Sequence, residues 1–170
     1  MVGKSQSAYD ECEKVSKESL SILRPIMERR GWHLCPYTEK HDQLTLGDYK
    51  GTFKGGQPVN IEFKAEVEDK YGNLFIENWS NKTTRRKGWL YNLTGAQVLI
   101  YHFLKDHTVY VVGMEALRQF PVSNYPEKPH GKREQGNDTW GYCVPILKLK
   151  QSGVIYQTGD SRTGVFSPVL

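Results

Sequence analysis

In the stretch Val59-Asn60-Ile61-Glu62-Phe63-Lys64-Ala65-Glu66, apolar and polar residues alternate strictly. A strand with this pattern turns Val59, Ile61, Phe63 and Ala65 to one side and Asn60, Glu62, Lys64 and Glu66 to the other, with the Cα atoms of Glu62 and Lys64 roughly 6.5–7 Å apart. A carboxylate and an ammonium placed that way can serve one site. Upstream, Leu44-Thr45-Leu46-Gly47-Asp48-Tyr49-Lys50 supplies Asp48, and a hairpin through Lys54-Gly55-Gly56-Gln57 would lay that segment alongside. Asp48 and Glu62 could then share a divalent cation. Two hard oxygen ligands, with water and a phosphate oxygen in the remaining positions, suit Mg²⁺, with Mn²⁺ able to substitute. Lys64 would orient or help deprotonate the attacking water and stabilise charge building on the phosphate. Hydrolysis of a phosphodiester requires this set of groups. Standing alone, Glu62 and Lys64 would read as an ion pair on an exposed sheet, worth little.

The elements that would position these residues follow from periodicity. Residues Ala8 to Arg30 carry Cys12, Val15, Ser19, Ile22, Leu23, Ile26 and Met27 at spacings of three and four, which predicts one amphipathic helix. Ser5 or Ser7 would cap it, Gly31 would end it, and Pro25 would kink or split it. Beyond Gly31, strands are expected near Leu44 to Phe53, Pro58 to Glu66, Leu74 to Asn78, Val98 to Phe103 and Thr108 to Val112. Lys70-Tyr71-Gly72-Asn73 and Lys105-Asp106-His107 read as further hairpin turns. Short helices are expected at Gly88 to Leu93 and Met114 to Phe120. Residues Pro121 to Thr139 read as a surface insertion loop, Trp140 to Leu149 as a strand, and residues 151–170 as irregular. The expectation is one domain over residues 1–170, of α/β class, with a central mixed β-sheet flanked by helices.

With 170 residues, 38% of them hydrophobic, the chain can bury one core without disulfides. No run approaches the ~20 apolar residues that span a bilayer, and the start MVGKSQSAYDECEK lacks a secretory signal's apolar stretch. A cytoplasmic protein with no membrane association is expected. Cys12, Cys35 and Cys143 are too far apart for a zinc or disulfide framework and read as reduced, structural thiols. The five histidines show no HxxxH or HxH spacing. No GK[ST] follows Gly55-Gly56 and no GxSxG occurs, which removes phosphate-loop and serine-hydrolase chemistry. Net charge is +4, and it concentrates at Lys82, Arg85, Arg86 and Lys87, then at Lys128, His130, Lys132 and Arg133. Beside a phosphodiesterase site such clusters would grip the nucleic-acid backbone. Trp79 and Trp89 flank the first cluster and would either stack on bases or fill the core.

Asp48 followed by Glu62-Phe63-Lys64 resembles the D…(D/E)xK signature of the PD-(D/E)XK nuclease superfamily. The order also resembles that superfamily: a leading helix, a β-meander carrying the acidic residue and then ExK, a helix, and further strands. Asn73-Leu74-Phe75-Ile76-Glu77, Gly88-Trp89-Leu90-Tyr91 and Ala96-Gln97-Val98-Leu99-Ile100-Tyr101 are similar to small phage and bacterial nucleases or resolvase-like members. Gly47 stands where the family has proline. The resemblance implies a restriction-endonuclease-like core, Mg²⁺-dependent cleavage of DNA by Asp48, Glu62 and Lys64, and a homodimer in many members. It also implies a glutamate on the first helix near the metal, best matched by Glu18 with Glu11 and Glu13 as competitors. Glu77 would complete the cluster or support Lys64. Were the chain viral, the compartment would be the host cytoplasm. Two other readings remain: a non-catalytic nucleic-acid-binding or inhibitory protein on the same fold, and an RNA-directed nuclease.

Overall fold

The computed structural model describes residues 3–130 and 138–169. A long helix α1 (Gly3–Arg29) leads the chain. Pro25 lies inside it without ending it, although an interior proline forfeits a backbone hydrogen bond and costs roughly 3 kcal/mol. Leu23, Ile26 and Met27, all buried around the proline, offset that cost by packing onto the sheet. Gly31, at φ +92, takes the left-handed conformation that stops the helix.

A seven-stranded mixed sheet follows, ordered β1-β2-β3-β6-β7-β10-β11. Its strands are β1 (Trp32–Pro36), β2 (Tyr49–Phe53), β3 (Val59–Glu66), β6 (Val98–Phe103), β7 (Thr108–Gly113), β10 (Ile155–Asp160) and β11 (Val165–Pro168). β1, β2 and β3 form an antiparallel meander, with Tyr49 opposite Ile61 and Gly51 opposite Val59. The turn after Phe53 closes as the sequence suggests, with Gly56 N–H donating to Phe53 O at 2.7 Å. β3 then pairs in parallel with β6, setting Glu62 beside Leu99 and Lys64 beside Tyr101.

Between β3 and β6 the chain leaves this sheet. β4 (Asn73–Asn81) and β5 (Arg86–Lys87) join β9 (Trp140–Pro145) and β8 (Glu127–Pro129) in a four-stranded sheet ordered β5-β4-β9-β8. The two faces of the large sheet therefore have different covers. α1 packs on one, over Ile61, Ile100 and Val109. The second sheet covers the other together with α3 (Trp89–Asn92), α4 (Met114–Gln119) and α5 (Ile146–Gln151), enclosing Leu74, Ile76, Leu99, Phe103, Val112 and Leu149. The expected α/β class and mixed sheet are present, but that face is closed by a sheet as well as by helices.

Several local expectations are corrected. Residues Lys40–Thr45 form a short helix, α2, rather than the start of a strand, so β2 begins only at Tyr49. The turn at Lys70 to Asn73 carries the chain from one sheet to the other and is not a hairpin; Asp69 Oδ1 holds it by accepting from Gly72 N–H at 2.6 Å. The Pro121 to Thr139 stretch contains a 3-10 turn at Val122–Asn124, with Val122 buried, and edge strand β8. Trp140 to Leu149 divides into β9 and α5. The C-terminal segment, expected to be irregular, forms the β10–β11 hairpin. Cys12 and Cys35 are exposed and Cys143 half-buried, so these thiols fill no core position. No helix among the described residues is long and apolar enough to cross a membrane.

Gly47 has a specific geometric duty. Its φ is +107, and a Cβ there would lie 2.7 Å from Ile61 O. Proline, locked near φ −65°, could not occupy the position at all. Gly47→Ala is expected to destabilise the protein by about 1–3 kcal/mol, read as a lowered denaturant midpoint at unchanged slope.

Candidate functional site

Asp48 sits at the mouth of β2, half-buried, just after the Gly47 bend. Its own N–H donates to Ile61 O at 2.9 Å, and its Oδ2 accepts from Phe63 N–H at 2.9 Å. Asp48 is thereby tied to both neighbours of Glu62. Glu62 is 4% exposed, and its Oε1 forms an ion pair with Lys64 Nζ. Its Oε2 is buried with no hydrogen-bond partner. The three residues that the sequence singled out are therefore gathered in one place by the β2–β3 hairpin and the strand alternation.

Electrostatics follow from this packing. Burial, opposed by the Lys64 charge but reinforced by Asp48, pushes the Glu62 carboxyl up from 4.5 to about 7. Desolvation pulls the Lys64 ammonium down, but the Glu62, Asp48 and Glu77 carboxylates more than offset it, and its net shift is upward. Glu77, on β4 in the second sheet, is raised by burial against the pull of Lys64, the Trp89 N–H, His130 and Arg86. The Trp89 N–H donates to Glu77 Oε1 at 3.2 Å, which anchors the carboxylate across the sheet boundary from Lys64. Glu66, further along β3, accepts from the buried Tyr101 hydroxyl and is held as part of the packing rather than as a free surface charge.

A cavity of about 270 Å³ opens beside Asp48 and Lys64, walled by Tyr37, Tyr49, Phe63, Gln43 and, from α1, Ser16, Ser19 and Leu20. The helix thus lends serines and a leucine to this wall. Glu18, like Glu11 and Glu13, is exposed, and none of the three lines the cavity. Ser19 falls on the helix stripe that the spacing predicts, but its polar role was not anticipated from sequence. It shares a 2.8 Å hydrogen bond with Nδ1 of the fully buried His102, whose Nε2 meets Ser161 Oγ at 3.0 Å. Burial lowers the His102 imidazole to about 4, so it is neutral near pH 7, and its two hydrogen bonds pin α1 to β6 and to the end of β10.

The first basic cluster lies on a β-hairpin rather than in an open loop. Asn81 Oδ1 accepts from Thr84 N–H at 2.9 Å and Arg85, at φ +56, completes the turn from β4 into β5. Lys82 pairs with Glu127 and lies over the Trp140 ring at 3.9 Å. Lys87 lies over Trp79 at 4.0 Å, while Arg85 and Arg86 are exposed and form no ion pair among the described residues. Trp89 is buried in the core; Trp79 is half-buried under Lys87. Lys132 and Arg133 lie outside the described residues.

Among the described residues no group of three or more His, Cys, Asp or Glu side chains is disposed to hold a metal ion. Asp48 and Glu62 make a pair. That pair fits an ion that keeps several waters, as Mg²⁺ does, and the unpartnered Glu62 Oε2 is the oxygen such an ion would satisfy. No protein-family model, curated protein or solved structure matches the chain.

The Glu62 shift sets a pH dependence. Between 4.5 and about 7 the folded chain binds more protons at Glu62 than the unfolded chain does, so stability from this group falls as pH rises through that window. Glu62→Gln should therefore gain stability over the parent on moving from pH ~5 to ~8 without divalent cations, by up to about 3 kcal/mol. Parallel denaturant titrations at the two pH values measure it.

Proposed function

We propose that this protein is a metal-dependent nuclease that hydrolyses phosphodiester bonds in DNA. The observation that carries the reading is the buried, unpartnered Glu62 Oε2 beside Asp48 and Lys64, the latter two of which line an open cavity. Leaving a buried carboxylate oxygen bare costs roughly 1–3 kcal/mol or more, and such a cost is accounted for if a cation is its partner. The order of elements gives further support. A leading helix, a meander carrying Asp48 and then Glu62 and Lys64, and a return strand parallel to β3 support the reading, although strands of a second sheet and only a four-residue helix lie between β3 and β6.

In this reading Asp48 and Glu62 hold Mg²⁺, which supplies Lewis-acid activation of the phosphate when bound. Lys64 holds the attacking water within reach of phosphorus and offsets the negative charge that develops on the phosphoryl oxygens. Phe63 N–H fixes the rotamer of Asp48 by donating to Oδ2, so Oδ1 would be the oxygen that meets the cation. Glu77 positions Lys64 from the second sheet. Arg85, Arg86 and Lys87 contribute sequence-independent, salt-sensitive affinity for the DNA backbone.

Incubation with supercoiled, linear and branched DNA, with Mg²⁺ or with EDTA, tests the activity. Cutting should require the cation and fall by roughly 10²–10³-fold in Glu62→Ala or Lys64→Ala, with DNA binding retained. A parallel RNA substrate separates DNA-directed from RNA-directed cleavage. Arg85→Ala and Arg86→Ala should each weaken binding to all DNA sequences alike and reduce the slope of log affinity against log salt by about 1.

The limited number of carboxylates favours a second reading, a non-catalytic nucleic-acid-binding or inhibitory protein. Lys64 already pairs with Glu62, Asp48 Oδ2 already accepts a backbone N–H, and no third carboxylate joins them in a metal-disposed group among the described residues. Binding without cutting in any divalent metal selects this alternative.

A further inference from the structure

On the α1 side of the large sheet a second cavity, of about 620 Å³, opens between the C-terminal half of the helix and the strands. Its floor is aliphatic: Leu23 and Met27 from α1, Ile61 from β3, Val98 and Ile100 from β6, and Val111 from β7. The mouth is ringed by Trp32, Phe53, Tyr156 and Phe166. Phe53 is 41% and Tyr156 40% exposed, an exposure that leaves apolar surface available to a ligand.

The charges at the mouth share one sign. Arg29, Arg30 and Lys54 line it, and no carboxylate does so among the described residues. Arg30 is held over the Phe166 ring at 5.1 Å and donates through Nη1 to Gly164 O at 3.1 Å. Lys54 lies over Phe53 at 5.2 Å. Neither forms an ion pair among the described residues. The volume falls within the range of small-molecule pockets, roughly 300–1,000 Å³. An apolar floor with few polar atoms offers little to the edges of a nucleobase, whereas it suits a hydrocarbon chain.

We propose that this cavity binds a single-chain amphiphile with an anionic head, of the class of a medium-chain carboxylate. The chain lies along the floor between α1 and β6, and the head meets Arg30 and Lys54 at the mouth. This site is on the opposite face of β3 from Glu62 and Lys64 and stands independently of the nuclease reading.

Dodecanoate titrated into the full chain, followed by calorimetry and by displacement of 8-anilinonaphthalene-1-sulfonate, tests the proposal. Saturable one-to-one binding is expected, with dodecylammonium at least about tenfold weaker. Arg30→Glu and Lys54→Glu, both at exposed positions, should each weaken dodecanoate by about tenfold, Lys54→Glu without moving the melting temperature. Val111→Trp, which fills the floor, should abolish it. Glu62→Ala should leave it unchanged. The absence of saturable binding, equal affinity for dodecylammonium, or indifference to both charge reversals overturns the proposal. So does a dimer, or binding of a single-stranded oligonucleotide, that both charge reversals disrupt while dodecanoate fails to bind.

Discussion

A carboxylate on the inner face of a central strand is a standing electrostatic cost, and the arrangement around Glu62 is organised by it. β3 lies between β2 and β6, so neither strand edge is open to water. The face bearing Glu62 looks toward the side closed by the second sheet. One oxygen is answered by Lys64 and the other is not. Removing the lysine would leave an uncompensated charge, whereas an apolar pair of similar volume would carry no such debt. The polar pair therefore makes little sense as a device for stability alone. Asp48, held against the same strand by two hydrogen bonds, adds a second negative group where electrostatics alone would disfavour it.

How much of this could be read from the residues depended on whether the signal was local. The alternation from Val59 to Glu66 assigned each side chain to a face, and the Gly55-Gly56 turn fixed which strand would lie beside it; both are consequences of near neighbours. The absence of proline before Asp48 looked like a missing mark, yet the φ of Gly47 shows that the bend has no room for one. Other features had no local signature. β1, Trp-His-Leu-Cys-Pro, has only Leu34 buried and little β-branched character. Residues Lys40 to Thr45 bury nothing completely, so α2 shows no apolar stripe. The C-terminal hairpin, at a sheet edge, is rich in Gly, Ser and Thr and mostly half-buried or exposed, so it carries little apolar alternation. Membership of β4 in a second sheet is decided by tertiary packing, which no window of sequence contains.

The same alternation divides the two faces of the large sheet. Even-numbered residues of β3 carry the charged groups, while Ile61 on the odd side joins the floor under α1. One strand thus separates a buried ionic cluster from an aliphatic floor across the thickness of a single sheet. His102, clamped between Ser19 and Ser161, ties the helix to the strands on the α1 face.

The excursion of the chain between β3 and β6 bears on how the molecule reaches its native state. The parallel β3–β6 pairing can form only after the intervening segment has been set aside, and that segment completes its own sheet by recruiting β8 and β9 from much later in the chain. Each sheet thus encloses a part of the other's connectivity. Closure of such long loops raises contact order and slows folding. It also couples the sheets, so that opening one withdraws packing support from the other.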